Sequence, residues 1–279
     1  MKKIISAIDG LKFSESTVNC AIDIAKQTST HLVAVFLDDN LYNSYKVYDL
    51  VVKKNVTARQ LKAYEAKDNS TRMSATKKFE TACRKASLEF SIHHDRGIAI
   101  QELKHESIYA DLLIIDSNET VSHNTETVPT GFIRDLLSDV QCPVIVVPGS
   151  YKRFEKLVLL YDGEPSSVYA IKMFSYLFPY MTSMPAEVIS VKPETTSLHL
   201  PDNKLMKEFM NQHYPKAKFM VIKGEAEDEI VHYLKKVKEN SLVVLGAYRR
   251  SAVSRWFRES MADILMRETG LPLFIAHSK

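Results

Sequence analysis

Glycine is scarce in this 279-residue chain, which contains eight glycines, and the nearest pair, Gly149 and Gly163, is 14 residues apart. A Rossmann dinucleotide fingerprint or a Walker A loop needs its glycines within about six residues, so that backbone amides can approach phosphate oxygens. Neither loop is therefore present. This spacing excludes the usual P-loop ATPases and Rossmann dehydrogenases.

Cysteine and long apolar runs are also scarce. Cys20, Cys83 and Cys142 lie far apart with no C-x-x-C pair, which argues against a disulfide framework or a zinc site. We expect them to pack as small apolar residues rather than to act as reactive thiols. No run approaches the roughly 20 apolar residues that span a bilayer. Because the first apolar run ends at Asp9, the start of the chain is predicted to be a strand rather than a signal peptide, and the protein is predicted to be cytoplasmic.

Catalytic and metal motifs are missing as well. There is no G-x-S-x-G elbow and no H-E-x-x-H pair. The only cluster of potential metal ligands that includes histidines is His93-His94-Asp95, and successive strand residues point to opposite faces, so no metal site is predicted. The net charge of +3 is too small to indicate a nucleic-acid partner.

What the chain does contain is an internal repeat of four apolar segments in the same order. Lys3–Gly10 matches Lys156–Gly163, His31–Leu37 matches Ala186–Val191, Asp111–Ile115 matches Ser241–Leu245, and Cys142–Val147 matches Leu271–Ala276. Four ordered matches indicate a duplication. The segments are apolar on both faces, which is typical of parallel strands covered by helices on both sides.

Amphipathic helical patterns lie between these strands, with Ser14 as the predicted N-cap in the first half and Ser166 or Ser167 in the second. Alternating strands and helices predict an α/β fold with two tandem five-stranded parallel-sheet domains. We place the domains at residues 1–150 and 154–279, with the boundary in the polar stretch 149–154.

The halves differ by an insert at about residues 40–69, which carries Tyr42, Tyr45, Tyr48 and Tyr64 among basic residues. Tyrosine beside basic residues suits a protein interface, so the insert is one candidate for binding an unknown protein partner. The other interpretation is a helical insert that packs its aromatic rings on its own domain.

Three features resemble a known family. Each half has Asp-Gly after its first strand, Gly97 and Gly224 follow the third strands, and Leu245–Ala262 has the length and position of an ATP loop. Together with the paired fifth strands, these features resemble the universal stress proteins in their tandem-domain form. The resemblance implies the Rossmann-like architecture of the adenine-nucleotide α-hydrolases.

ATP-binding members of that family carry G-x2-G-x9-G-[ST] in this loop. Gly246 and Ser260 fill the first and last places, whereas Arg249 and Glu259 replace the second and third glycines. A side chain there would crowd a close phosphate, and a carboxylate would repel it. Arg249 or Arg250 could instead hold phosphate by side chain, so in the second domain retention and loss of ATP both stay open.

The resemblance also implies contacts to the rest of the nucleotide. Asp9 and Asp162 match the acid that contacts the adenosine end, and Val191 matches a residue that contacts adenine. Both aspartates have another interpretation, as strand-end residues that accept bonds from loop amides. In the first domain Asp116 stands at the first glycine position of the loop, so loss of nucleotide binding is predicted there.

These features favour a non-enzymatic stress-response protein that acts through association, with degenerate adenine-nucleotide sites. The resemblance implies that the two domains pair through their fifth strands and that two chains form a homodimer. No cofactor is assigned, although ATP or another adenine nucleotide in the second domain stays open. The alternatives are an ATP-binding protein with weak ATPase activity and a sensor of another small ligand.

Overall fold

The computed structural model describes residues 1–38, 42–45, 56–94, 97–195, 198–246 and 260–276. The chain divides into two compact units, Met1–Gln141 and Cys142–Lys279. Both units are built of alternating strands and helices, as the repeat predicted. No helix in these ranges is both long enough and apolar enough to cross a membrane.

The described residues of the first unit form four parallel strands in the order β3-β2-β1-β4. The strands are β1 (Lys3–Ile8), β2 (His31–Phe36), β3 (Phe90–His94) and β4 (Leu112–Asp116). The helices are α1 (Glu15–Thr28), α2 (Ala58–Lys85), α3 (Ala99–Ser107) and α4 (Gly131–Asp139). Strands β1, β2 and β4 are almost wholly buried, because each strand carries apolar side chains on both of its faces.

Capping residues set where the helices of this unit begin. Ser14 accepts a hydrogen bond from the Thr17 backbone at 3.3 Å and starts α1, as the sequence predicted. Thr57 and Gln60 form a reciprocal capping box at the start of α2. Helix α2 is 28 residues long and includes the second part of the predicted insert, so the insert continues directly into the helix that follows β2.

In the part of the second unit that the structure describes, there are six strands in the order β5-β10-β9-β6-β7-β8. The strands are β5 (Val144–Val147), β6 (Lys156–Leu160), β7 (Ala186–Lys192), β8 (Lys218–Lys223), β9 (Ser241–Gly246) and β10 (Leu273–Ala276). The helices are α5 (Pro165–Leu177), α6 (Asn203–His213), α7 (Ala226–Lys236) and α8 (Met261–Thr269).

All neighbours in the second unit are parallel except β5 and β10, which pair antiparallel with Ile145 opposite Phe274. The fifth strand of the first repeat therefore lies in the second unit, against the fifth strand of the second repeat. The sequence proposed these two strands as the contact between the repeats. The domain limits 1–150 and 154–279 follow the sequence repeat and stay a prediction.

One helix start differs from the expectation. Ser166 and Ser167 lie inside α5 rather than capping it, since the helix begins at Pro165 with Glu164 as its N-cap. Proline favours the first helical position because its fixed φ suits the helix and its missing N–H needs no partner there. The Ser167 hydroxyl instead donates to the Glu164 carbonyl at 2.8 Å. Helix α8 stops before Gly270, whose φ is +60°, as predicted.

The cysteines are packed as expected. Cys20, Cys83 and Cys142 are all buried and none is part of a disulfide. Burial raises the pKa of the Cys83 thiol to about 12, so it stays protonated at neutral pH.

Candidate functional site

The candidate sites lie where the parallel strands end. In an open α/β sheet, ligands bind outside the carboxyl ends of the strands, at the point where the strand order reverses. That point lies at β1 in the first unit, between β2 and β4, and at β6 in the second unit, between β7 and β9. Asp9 follows β1 and Asp162 follows β6, so the two aspartates occupy corresponding positions.

In the first unit Asp9 is 1% exposed and bonds to its own chain. Its Oδ1 accepts from the Leu11 and Lys12 backbone amides at 2.7 and 3.2 Å. Its Oδ2 accepts from the Tyr42 hydroxyl at 2.8 Å. Burial and the Asp9 charge raise the pKa of Tyr42, so its hydroxyl remains a donor at neutral pH. Both oxygens of the acid that would face a nucleotide are therefore engaged.

A second carboxyl group, Glu119, is buried beside Asp9. Its Oε1 accepts from the backbone amides of Thr120 and Val121 at 2.9 and 2.8 Å. Burial, followed by the charge of Asp9, raises the pKa of Glu119 to about 7, although these two amide bonds lower it. Glu119 thus changes its charge near neutral pH in an enclosed position.

Two cations complete this group of side chains. The Lys12 ammonium lies 5.9 Å from the centre of the Tyr42 ring, and the Arg72 guanidinium lies 5.8 Å from it. Arg72 also donates to the Tyr42 carbonyl at 2.6 Å. We call Asp9, Lys12, Tyr42, Arg72 and Glu119 the Asp9 cluster. Its charged and polar groups bond largely to one another and to the loops around them.

Asp116, at the end of β4, has a similar local role. Its Oδ2 accepts from the Ser14 hydroxyl at 2.5 Å, and its Oδ1 accepts from the Asn118 amide at 2.8 Å. The acid at the first position of the predicted phosphate loop therefore connects the start of α1 to the turn after β4.

The tyrosines of the insert that the structure describes contact the first unit itself. Tyr42 is buried in the Asp9 cluster, and Tyr45 lies with its ring 5.5 Å from the Tyr64 ring. The Asp68 carboxylate of α2 accepts from the Ser44 amide at 2.7 Å, which holds residues 42–45 against that helix. These contacts favour the interpretation that the insert packs on its own domain. Tyr48 lies outside the described residues.

In the second unit the register brings the predicted residues to one edge. Leu160 of β6 pairs with Ile189 of β7, and two further residues along each strand bring Asp162 level with Val191. Pairing between β6 and β9 brings Gly246 level with the residue before Asp162. Asp162, Val191 and Gly246 thus lie at the ends of three adjacent strands, although they are far apart in sequence.

Asp162 differs from Asp9 in its surroundings. It is exposed, and its Oδ1 accepts from the Glu164 amide at 2.9 Å, while its Oδ2 has no partner among the described residues. Gly163 beside it has a φ of +90°, and a Cβ there would lie 2.7 Å from the side chain of Pro201. Glycine therefore allows the turn after β6 to fit under the segment that leads into α6.

Gly246 and Ser260 each have a structural role in addition to their predicted one. A Cβ at Gly246 would lie 2.4 Å from the Ser166 carbonyl oxygen, so glycine lets β9 pass the first turn of α5. Ser260 is the N-cap of α8, and its hydroxyl accepts from the Asp263 amide at 3.2 Å. Arg249, Arg250 and Glu259 lie outside the described residues.

Metal ligands do not gather in the described ranges, where no group of three or more His, Cys, Asp or Glu side chains could hold an ion. His93 and His94 bond to different carboxylates, Glu106 at 2.6 Å and Asp38 at 2.8 Å. This separation follows from the alternation of side chains along β3.

The sequence did not predict that Tyr42 and Glu119 meet at Asp9. Tyr42 was assigned to the insert, and no role was predicted for Glu119. A usable signal was present, because both residues follow strands adjacent to β1, and the carboxyl ends of adjacent parallel strands meet at one edge.

No protein-family model matches the sequence, and no curated protein matches it either. A universal stress protein from Archaeoglobus fulgidus DSM 4304 is 14% identical, with a TM-score of 0.72 over 99% of this chain and 98% of that one. The chain has the fold of the tandem universal stress proteins. A Pseudomonas aeruginosa UCBPP-PA14 protein named as a universal stress protein is 14% identical, with a TM-score of 0.58 over 99% and 92% of the two chains. A functionally unknown protein from Pseudomonas aeruginosa PAO1 is 12% identical, with a TM-score of 0.60 over the same shares.

The resemblance seen in the sequence is therefore confirmed at the level of the universal-stress fold, over nearly the whole chain. At identities of 12 to 14% these matches show architecture alone.

Proposed function

We propose that this chain is a non-enzymatic stress-response protein that acts through association and binds an adenine nucleotide only at the carboxyl edge of its second unit. The observation that carries the proposal is the contrast between two corresponding aspartates. Asp9 is buried and bonded to Tyr42, whereas Asp162 is exposed with one oxygen unpartnered among the described residues.

The Asp9 cluster argues against a nucleotide in the first unit. The Tyr42 hydroxyl already donates to Asp9, and so occupies the position from which a ligand hydroxyl would donate to this carboxylate. Three carboxyl groups also lie close together at this edge, those of Asp9, Asp116 and Glu119. A triphosphate would add further negative charge there. A nucleotide would have to displace the chain's own bonds and then meet like charge.

The second unit offers complementary chemistry. The unpartnered oxygen of Asp162 can accept from a ribose hydroxyl, and Val191 provides an apolar surface, level with it, for a base. Ser260 begins α8, whose N-terminal amides favour an anion. Arg249 and Arg250 follow β9 in sequence, and we assign them to the phosphates because a guanidinium can hold phosphate in place of a glycine loop.

Calorimetric titration with MgATP tests the binding part of this proposal. We expect one nucleotide per chain, with a dissociation constant raised about tenfold or more in Asp162→Asn, since a hydrogen bond to a charged group is worth about 1.5–3 kcal/mol. Asp9→Asn is the matched control and should leave affinity unchanged, after its folding has been checked by thermal melting. Absence of binding, or loss in Asp9→Asn alone, would contradict the assignment.

Turnover tests the non-enzymatic part. Phosphate release under multiple-turnover conditions should not exceed the background without protein. ATP hydrolysis by the wild type that disappears in Asp162→Asn would show that the protein is an ATPase and would contradict the non-enzymatic proposal. A non-nucleotide compound that co-purifies with the protein would favour a small-ligand sensor. Light scattering should show the expected homodimer.

A further inference from the structure

A groove between α1 and α2 forms a cavity in the first unit, with a volume of about 450 Å³. That volume falls within the range of small-molecule pockets, roughly 300–1,000 Å³. The residues that line it are separate from the Asp9 cluster, and its ligand is independent of the nucleotide proposed for the second unit.

The groove exists because only a narrow stripe of apolar residues on α2 is buried. Within α2 the buried apolar residues are Ala75, Phe79 and Cys83. Ser74, Lys78, Thr81 and Lys85 are spaced by three or four residues, so they form a neighbouring face that borders the groove. Small residues at Ser74 and Ala82 leave the space between the helices unfilled.

The floor of the groove is apolar. Val18 of α1 is buried, while Phe13 before α1 and Ala82 of α2 are each half-buried and reach the cavity surface. An apolar body placed here would remove this surface, together with its own, from water.

The rim carries uncompensated positive charge. Lys77, Lys78 and Lys85 line the cavity, and none of the three makes an ion pair within the described part of the chain. The Lys78 ammonium lies 5.5 Å from the centre of the Phe13 ring, over the apolar floor. Glu15 is the acidic residue on the opposite wall. Helix α2 contains eight Lys or Arg residues against three Asp or Glu residues, which adds to the local positive potential.

We propose that this groove binds a small, freely soluble anionic amphiphile, a molecule with one acidic group on an apolar body. The apolar body contacts Phe13 and Val18, and the acidic group lies among Lys77, Lys78 and Lys85. A small hydrated anion would leave the apolar floor unused, and a neutral apolar molecule would leave the ammonium groups unused. An acidic amphiphile matches both surfaces at once.

Calorimetry with three matched probes tests this inference. Decanoate has both parts, decanol has the apolar body without the charge, and acetate has the charge without the body. We expect saturable binding of one decanoate per chain, binding of decanol at least about fivefold weaker, and no binding of acetate at the same concentrations. Equal affinity for decanoate and decanol, or no saturable decanoate binding, would overturn the proposal.

Paired variants locate the site. Lys77→Gln with Lys85→Gln should weaken decanoate about threefold or more, as expected for the loss of two exposed charge contacts, and leave decanol unchanged. Lys62→Gln with Lys67→Gln removes two exposed lysines from the same helix outside the groove and should change neither. Equal effects of the two pairs would show that the general charge of α2, rather than this groove, attracts the anion. Phe13→Ala should weaken decanoate and decanol together, and retention of both would also contradict the proposal.

Discussion

At the scale of a single residue, the Tyr42 hydroxyl occupies the Asp9 oxygen that a ligand would otherwise contact in the first unit. It is buried, it remains protonated and it donates to the Asp9 carboxylate, whose other two donors among the described residues are backbone amides. Tyr42→Phe keeps the ring between Lys12 and Arg72 but removes that donor.

We expect Tyr42→Phe to lower the free energy of unfolding by about 1–3 kcal/mol, because a buried charged acceptor loses a partner. Urea denaturation measures the change. Tyr64→Phe, at a residue that is 38% exposed, is the control and should stay within about 0.5 kcal/mol of wild type. Equal effects of the two substitutions would argue against a special role for the Tyr42–Asp9 bond.

The raised pKa of Glu119 makes the free energy of unfolding decrease as the pH rises. Its pKa is about 7 in the folded protein and about 4.3 in an unfolded chain, so folding favours the protonated form. The stabilisation is fully present below pH 4, declines as the unfolded state ionises, and is lost once the pH passes 7. The charge of Asp9 beside it contributes to the same direction.

Glu119→Gln removes the charge but keeps an oxygen for the Thr120 and Val121 amides. The stability of the variant relative to wild type should rise by about 2–4 kcal/mol between pH 4 and pH 8, measured by urea denaturation across that range. Glu89→Gln, at an exposed position, controls for the loss of one negative charge. A difference that stays constant with pH would contradict this account of Glu119.

At the scale of elements, Gly246 determines how closely β9 approaches α5. The clash that a Cβ would make is with backbone atoms of Ser166, which cannot rotate away as a flexible side chain would. This packing role explains the glycine whether or not a phosphate binds nearby.

Gly246→Ala should therefore lower the free energy of unfolding by about 2–3 kcal/mol through overpacking. Gly149→Ala is the matched control, because a Cβ there meets nothing within 4 Å, and it should change stability by less than about 1 kcal/mol. Chemical denaturation of both variants measures the difference. Similar stability of the two would mean that the start of α5 can move away from β9.

The elements themselves were largely predictable from the sequence. Strand β1 ends at Ile8, directly before Asp9, and β6 ends at Leu160, two residues before Asp162. Both ends lie close to the predicted ones, because buried parallel strands are continuous apolar runs bounded by polar residues. The start of α5 was predicted too late, because Ser166 and Ser167 are residue types that favour an N-cap, whereas the helix begins before them at Pro165.

The Asp9 cluster could not be predicted in the same way. Its central bond joins Asp9 to Tyr42 across 33 residues, and neither residue's local pattern specifies the other. The strand order predicts that residues after β1 and β2 meet at the carboxyl edge of the sheet. Which side chain contacts Asp9 there depends on packing in three dimensions. The same limit applies to the groove beside α2, which depends on how far apart two helices lie.

At the scale of the whole molecule, one fold occurs twice with two different carboxyl edges. The repeat, the parallel strands and the match to the tandem universal stress proteins establish the shared architecture. The edges differ because the first unit places Tyr42 and Glu119 against its aspartate, whereas the second leaves Asp162 exposed. Duplication has preserved the scaffold, and the side chains at the strand ends distinguish the two halves.

Hydrogen exchange with and without MgATP tests this difference between the two edges most directly. Amides around Asp162, Val191 and Gly246 should exchange more slowly when the nucleotide is present, while those around Asp9 and Tyr42 should not change. Slower exchange around Asp9 and Tyr42, with none around Asp162, would contradict the account.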